Sequence, residues 1–343
     1  MSSRSSITDL RLVKLAEEVA SGRSAELIAR MLENVMELGK NHVGIGDLKQ
    51  IATTLQEMQE ANQIFANYRN RRKVAIFGSA RIAHTTPEYL VAKTFANQMA
   101  SKKFMVITGG GNGIMGAAQE GAGAENSFGL NIHLPFEQRA NPTIDGDPKL
   151  VSFKYFFTRK LSFVKETHAF VLLPGGFGTQ DEGFECLTLM QTGKTSIVPL
   201  VLLDKPDGYY WEAWRRFVNN DLFASNLISE SDFSLFRITH KIDEAVEEIL
   251  RFYRIFHSYR WVGKKMVIRI QHPLSASSLS QLNERFSFIL IEGKIEQTSA
   301  LPEEREDTAL LSLPRIVLIP FKNNFGVLRQ LIDAINASDR AGI

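Results

Sequence analysis

An α/β fold built on a doubly wound parallel sheet is predicted by three observations. Short runs rich in Val, Ile, Leu and Phe recur from Val74 to Leu203, too short for core helices and apolar enough to be buried on both faces. Glycine-containing turns close several of them, and helical periodicity resumes after each turn. Strand, loop and helix in alternation is the pattern of parallel strands joined by crossover helices.

The chain begins differently. From Ser6 to about Tyr68 the apolar spacing is helical, with Leu10, Leu12, Leu15 and Val19, then Leu27, Ile28, Met31, Val35 and Leu38, then Leu48, Ile51, Leu55 and Met58. Ser24 and Asp47 start the second and third of these runs, so residues 1–72 are expected to form a three-helix segment whose stripes make core or dimer contacts. The basic run Arg69, Arg71, Arg72 and Lys73 reads as a solvated junction or as a contact for an anionic ligand, and nothing in the sequence decides between them.

Val74–Phe77 is the first strand, followed by Gly78-Ser79-Ala80-Arg81 and a helix from Pro87 to Ser101. Open α/β sheets place ligands at the carboxyl ends of such strands, which makes Arg81 a candidate anion contact. The second strand, Phe104–Ile107, enters Thr108–Gly116, which contains G-x-G-x-x-G at Gly111, Gly113 and Gly116. A dinucleotide site needs an acidic residue at the end of the next strand. That strand, Gly129 to Leu134, offers Asn131 and His133 instead. A mononucleotide or sugar phosphate is therefore expected rather than NAD, with His133 a hydrogen-bonded structural residue. A helix over Lys154–Lys165 then carries Arg159 and Lys160 toward the strand ends, where a guanidinium suits phosphate or ribose oxygens.

The next strand and its loop, Phe170–Glu185, organise the domain. An apolar run is broken by Gly175, Gly176 and Gly178, and helical spacing resumes at Phe184, Leu187 and Met190. Glycines let backbone approach a ligand, and the N–H groups of a new helix favour a phosphate. Thr179 and Glu182 have the spacing of a capping box, which would put Asp181 and Glu182 in the first turn. There the helix dipole would keep Glu182 ionised near neutrality unless burial opposes it. Cys186, the single cysteine, falls on the apolar side as a buried thiol. Gly193-Lys194-Thr195 has the close of a P-loop, but Thr188 stands where the first glycine is required and a helix precedes it, so an ATPase reading is rejected. Val198–Leu203 is the fifth strand, and helices follow over Trp211–Asn219 and Lys241–Tyr253. Residues 73–260 thus read as a Rossmann-like nucleotide-binding catalytic domain.

Residues 261–343 change texture. Met266–Ile270, Ser287–Ile291 and Arg315–Pro320 read as strands, Ser277–Arg285 and Phe325–Ala337 as helices, with a charged loop including Glu303, Glu304, Arg305 and Glu306. This is a small α+β domain without a catalytic constellation.

Composition sets outer limits. The 343 residues carry 44% hydrophobic and 23% charged residues, with 40 Lys and Arg against 38 Asp and Glu. So even a balance, +2 overall, argues against nucleic-acid or membrane surfaces as partners. No apolar stretch reaches a bilayer-spanning length and Met1–Ser6 has no apolar signal core, so a cytoplasmic location is expected. No metal-ligand cluster is present, and no cofactor is expected.

Four ordered motifs resemble the Lonely guy family, phosphoribohydrolases of nucleoside 5′-monophosphates long mislabelled lysine decarboxylases. Pro174–Glu182 is similar to its PGGxGTxxE signature, Arg159-Lys160 to its Arg-Lys pair, and Gly78–Arg81 and Gly109–Gly116 to its two earlier loops. The resemblance covers about Lys73 to Tyr253. It implies that Arg159 and Glu182 are the catalytic pair and that Gly175, Gly176, Gly178 and Thr179 hold the 5′-phosphate. Ser79, Arg81, Gly110, Gly111 and Lys160 complete the implied substrate contacts. It also implies homodimers with sites near the subunit interface. Plant-like members carry Met-His before the Arg-Lys pair, whereas this chain has Phe156-Phe157-Thr158; with its extensions it looks more like the larger bacterial branch. AMP or another common nucleotide is then expected in preference to a cytokinin riboside monophosphate. A nucleotide-binding sensor is the alternative from another class. Lysine decarboxylation ranks below both, because no Schiff-base lysine can be nominated.

Overall fold

The structure, a computed structural model, describes residues 9–133, 139–321 and 324–339. Leu134 of the third expected strand, the N-terminal Met1–Ser6 and the remaining positions lie outside them. The chain divides into two compact units, Met1–Glu60 and Ala61–Ile343.

In the first unit, α1 (Leu10–Glu17) starts at Asp9, whose carboxylate accepts the Arg11 N–H at 3.0 Å. It packs on α2 (Gly22–Lys40) through the small residues Ala16, Ala25 and Ala29, with Val13 and Ile28 beside them. Alanines let the helices approach closely, while Leu15, Leu27, Met31 and Val35 stay exposed. A third helix, α3 (Ile45–Ala66), runs from this unit into the next.

The second unit opens with β1 (Lys73–Phe77), α4 (Pro87–Ser101), β2 (Met105–Thr108), α5 (Ile114–Ala122) and β3 (Ser127–Ile132). β4 (Leu150–Phe153), α6 (Phe156–Glu166), β5 (Ala169–Leu172), α7 (Phe177–Gln191) and β6 (Leu200–Leu203) follow. α8 (Tyr210–Phe217), β7 (Arg237–Thr239) and α9 (Ile242–Phe252) complete the α/β layer. The seven strands lie in the order β4-β3-β2-β1-β5-β6-β7, all parallel. The apolar runs in the sequence account for five of them. The two additions are the edge strands, four and three residues long, too short and, in β7, too polar to register as apolar runs. Every residue of β1, β2, β5 and β6 is buried, as expected of a sheet covered on both faces.

The order reverses direction at β1 and β5: β1 to β4 step outward one way, β5 to β7 the other. Chain leaving the carboxyl ends of these two neighbours diverges to opposite faces and opens a crevice there.

A second, antiparallel sheet has the order β10-β11-β9-β8, from β8 (Phe256–Val262), β9 (Lys265–Ile270), β10 (Leu290–Thr298) and β11 (Arg315–Pro320). Helices α10 (Ala276–Phe286) and α11 (Phe325–Ala337) accompany it. β8 was not expected, since His257 and Arg260 interrupt its apolar pattern; it begins at Phe256, ahead of residue 261. Ser287–Ile289 forms a 3₁₀ turn, and the expected strand there runs instead from Leu290 to Thr298. Ile268, Ile316 and Leu318 of this sheet share one buried core with Val201 of β6 and Ile249 of α9.

Candidate functional site

The crevice at β1 and β5 holds a cavity of about 790 Å³, lined by Ser79 and Arg81 after β1, Gly175 to Glu182 after β5, Arg159 of α6 and Tyr210 of α8. The two loops are joined by backbone: the Ser79 N–H donates to the Pro174 carbonyl at 3.1 Å, and the Ile114 N–H donates to the Ser79 carbonyl at 3.0 Å. Gly113 turns that corner at φ +64, where a Cβ would stand 2.3 Å from the Ser79 oxygen. Gly175 is needed for a different reason. A Cβ there would lie 2.1 Å from Thr179 Oγ1, so the buried Thr179 side chain fills the space a larger residue would occupy.

Helix α7 begins three residues earlier than the capping-box spacing suggested. Gly176 is its N-cap, Thr179 lies inside the first turn, and no carboxylate is in that turn. The capping box is not formed. The early N–H groups of α7, at Phe177 and Gly178, precede any i−4 helical partner and face the loop end. Thr179 and Gln180 donate to the Gly176 carbonyl at 3.1 and 3.2 Å. The start of α7 therefore presents backbone donors and a positive dipole end to the cavity.

Glu182 stands in the second turn instead, and this changes its state. It is 6% exposed. Its pKa is raised, first by burial, with Lys160 and Arg159 opposing. Those cations stand off: Arg159 Nη1 is 3.9 Å from Glu182 Oε1, and Lys160 Nζ is 3.9 Å from Oε2. The expectation of a dipole-stabilised first-turn carboxylate is thereby corrected.

Arg159 is aimed by two contacts. Its Nε donates to the Leu130 carbonyl at the end of β3, 2.7 Å away, and its guanidinium lies over Gly109, where a Cβ would come within 2.6 Å of Nη2. Burial lowers its pKa, opposed by Glu182, yet a guanidinium remains charged. Lys160 turns away to pair with Asp181 at 2.7 Å and Glu185 at 2.6 Å. Burial works against its charge, but these two carboxylates outweigh it and its pKa is raised. Lys160 thus fixes α6 to α7.

The structure brings Ser79, Arg81, Arg159, Gly175, Gly176, Gly178, Thr179 and Glu182 to one cavity wall. Gly110 and Gly111 are not on it. Their carbonyls accept from the Asn141 side chain at 2.9 and 3.0 Å, and Gly110 packs toward Leu150 of β4. His133 is exposed. Cys186 is buried in the apolar core, where burial pushes its thiol well up.

Sequence reasoning passed over Tyr210. Its hydroxyl donates to the Gly175 carbonyl at 2.5 Å and accepts from Gln180 Nε2 at 2.6 Å. Asp204, buried at the end of β6, accepts the Tyr210 N–H at 3.0 Å and so places the ring. An acidic residue directly after an apolar strand, six residues before an aromatic, was the available signal. Among the described residues no group of three His, Cys, Asp or Glu side chains is arranged to hold a metal ion, and no helix is long and apolar enough to cross a membrane.

Residues 115–249 match the family model described as "Possible lysine decarboxylase". A cytokinin riboside 5′-monophosphate phosphoribohydrolase of Arabidopsis thaliana is 28% identical over 142 residues, 40% of this chain and 65% of that protein. The pyrimidine/purine nucleotide 5′-monophosphate nucleosidase of Escherichia coli K12 is 27% identical over 145 residues, 39% of this chain and 32% of the relative. The molybdenum cofactor binding protein from Rippkaea orientalis overlays 52% of this chain and 96% of its own, at 17% identity and a TM-score of 0.38. The chain therefore aligns with less than two thirds of the length of these curated relatives. Over residues 115–249, the resemblance to the Lonely guy family holds.

Proposed function

We propose that the chain hydrolyses the N-glycosidic bond of a nucleoside 5′-monophosphate, releasing the free base and ribose 5-phosphate. The observation that carries this reading is the pairing of a buried glutamate, Glu182, with a guanidinium 3.9 Å away at the mouth of a glycine-lined helix N-terminus. Loss of a base from ribose develops oxocarbenium character, which a carboxylate at close range stabilises. The N–H groups at the start of α7 would receive the 5′-phosphate, with Ser79 and Arg81 on the facing loop. Arg159 would bind ribose or phosphate oxygens, and its charge would favour ionised Glu182 once substrate has displaced water. Tyr210 would hold the Gly175 turn in place.

The relatives' names divide between cytokinin riboside monophosphates and common purine and pyrimidine monophosphates. Phe156-Phe157-Thr158 ahead of Arg159 favours a common nucleotide such as AMP. We further propose a homodimer, for which Phe156, Phe157 and Leu161, each about half exposed on α6, offer an apolar face.

The test is incubation of purified protein with a panel of nucleoside monophosphates, one cytokinin riboside monophosphate included, with chromatographic detection of base and ribose 5-phosphate. Release of both products from AMP or a similar nucleotide is expected. Tight binding of a nucleotide that is never consumed would replace the nucleosidase with a sensor.

A further inference from the structure

At the opposite end of the parallel sheet lies a larger cavity, about 1340 Å³, walled by the residues that precede β1, β2, β5 and β6 and by β8 of the antiparallel sheet. We propose that it binds a small phosphorylated polyanion.

The walls carry many cations and no carboxylate. Arg69, Arg72, Lys102, Lys103 and Lys194 all line it, and among the described residues none of them forms an ion pair with an Asp or Glu. Three further cations on the wall are already engaged. Arg71 donates to the Asn126 side chain at 2.9 Å, Lys165 pairs with Glu166 at 3.3 Å, and Arg260 pairs with Asp307 at 2.8 Å. In a chain whose formal charge is only +2, so one-sided a concavity is a focused positive field awaiting a counter-ion.

Several features mark a built site. The Arg72 guanidinium is fixed over the Tyr253 ring, 3.9 Å from its centroid. Thr167, 7% exposed, lines the cavity with a buried hydroxyl that has no hydrogen-bond partner among the described residues. His168 accepts the Lys73 N–H on Nδ1 at 3.3 Å, which leaves its Nε2 as a neutral donor. Its pKa is lowered to about 4, first by burial and then by Lys73 and Arg72, a second register of the local positive potential. Tyr259 and Trp261 supply aromatic wall. The volume accommodates a ligand of nucleotide size.

Two sequence features left unassigned above meet here: the Arg69–Arg72 run and Gly193-Lys194-Thr195 at the end of α7. Both α6 and α7 connect this cavity with Arg159 and Glu182. The ligand site proposed here is separate from the crevice at β1 and β5 and does not depend on what that crevice does.

Calorimetric titration of the full chain with inorganic tripolyphosphate, at physiological ionic strength, tests this. Saturable binding is expected, weakened roughly tenfold or more by the combined exposed-residue substitutions Arg69→Gln, Lys103→Gln and Lys194→Gln. A matching melting temperature would show that this variant folds, and Lys194→Glu alone should weaken binding in the same direction. Arg81→Gln, on the phosphate-facing loop of the crevice, should bind tripolyphosphate as the wild type does, which separates this site from the other whatever the outcome of the turnover assay. Undiminished binding by the triple variant, or displacement of tripolyphosphate by sulfate at matched ionic strength, overturns the proposal. So does tighter binding of a single-stranded RNA oligonucleotide through the same residues, which would make the surface a nucleic-acid contact.

Discussion

Glu182 in the crevice and Glu304 beneath the antiparallel sheet are both withdrawn from water, and their surroundings push them in opposite directions. Around Glu304, which is fully buried, Arg269 Nη2 lies 2.9 Å from Oε1 and Arg315 Nε 2.9 Å from Oε2, with the Leu301 N–H at 3.2 Å. Burial raises its pKa, but Arg315, the Leu301 N–H and Arg269 more than offset this, and the carboxyl stays below its usual value. Around Glu182 the nearest cations are 3.9 Å away, burial prevails, and the pKa is raised. Direct hydrogen bonds make a carboxylate structural; a gap of one ångström leaves it under-compensated and available for chemistry.

Exchanging each charge for its amide isostere gives the widest contrast. Glu182→Gln is expected to lower base release by roughly a thousandfold while the fold persists. Retained turnover in that variant would remove Glu182 from the proposed mechanism. Glu304→Gln should leave turnover largely intact but cost about 3 kcal/mol or more, because the buried Arg315 loses its carboxylate partner and Arg269 keeps only Asp307. Chemical denaturation would measure it, and an unchanged midpoint would refute a structural role for that cluster.

The glycine loop supplies a contrast of the next size. Gly175→Ala forces a methyl onto Thr179 Oγ1 and should cost roughly 1–3 kcal/mol of stability. At Gly178 a Cβ meets nothing within 4 Å. Gly178→Ala should therefore stabilise the helix by about 0.5 kcal/mol while raising KM, since the methyl enters the proposed phosphate position. Equal effects on stability at the two positions would contradict this geometry.

The pH dependence of stability is the finest discriminator. The lowered pKa of Glu304 gives stability that is present above the unfolded-state value, near 4.5, and lost as pH falls through the folded value. The raised pKa of Glu182 acts with the other sign: its contribution is full below 4.5 and is lost as pH rises through the folded value. Glu182→Gln should thus melt about 2 °C higher than wild type at neutral pH. The difference should close in mild acid. A gap that stayed constant with pH would mean that the Glu182 charge carries no such penalty.

Much of this was legible along the chain. Buried runs such as Val74–Phe77 and Phe170–Leu172 announce themselves, because a parallel strand covered on both faces has no polar alternation to confuse it with. The glycines at 175, 176 and 178 and the carboxylate at 182 mark the crevice by local spacing alone. β4 and β7 were not legible, since short edge strands owe their state to a neighbour's hydrogen bonds. Glu304 read as one charge in an acidic loop, and only the Arg269 and Arg315 side chains, distant in sequence, explain why it is buried.

The sequence by itself determined the alternation of strand and helix, the loop that can cradle an anion, and the residue types gathered beside it. Those are local properties of periodicity, backbone freedom and charge. Tertiary structure decided which charges meet: that Lys160 pairs with Asp181 and Glu185 instead of facing the crevice, that Gly110 and Gly111 bond Asn141, and that Glu182 stays under-compensated. It also gathered Arg69, Arg72 and Lys194 on one wall. The physical reason is that burial and distance set the energy of a charge, and both belong to the folded chain rather than to any stretch of it.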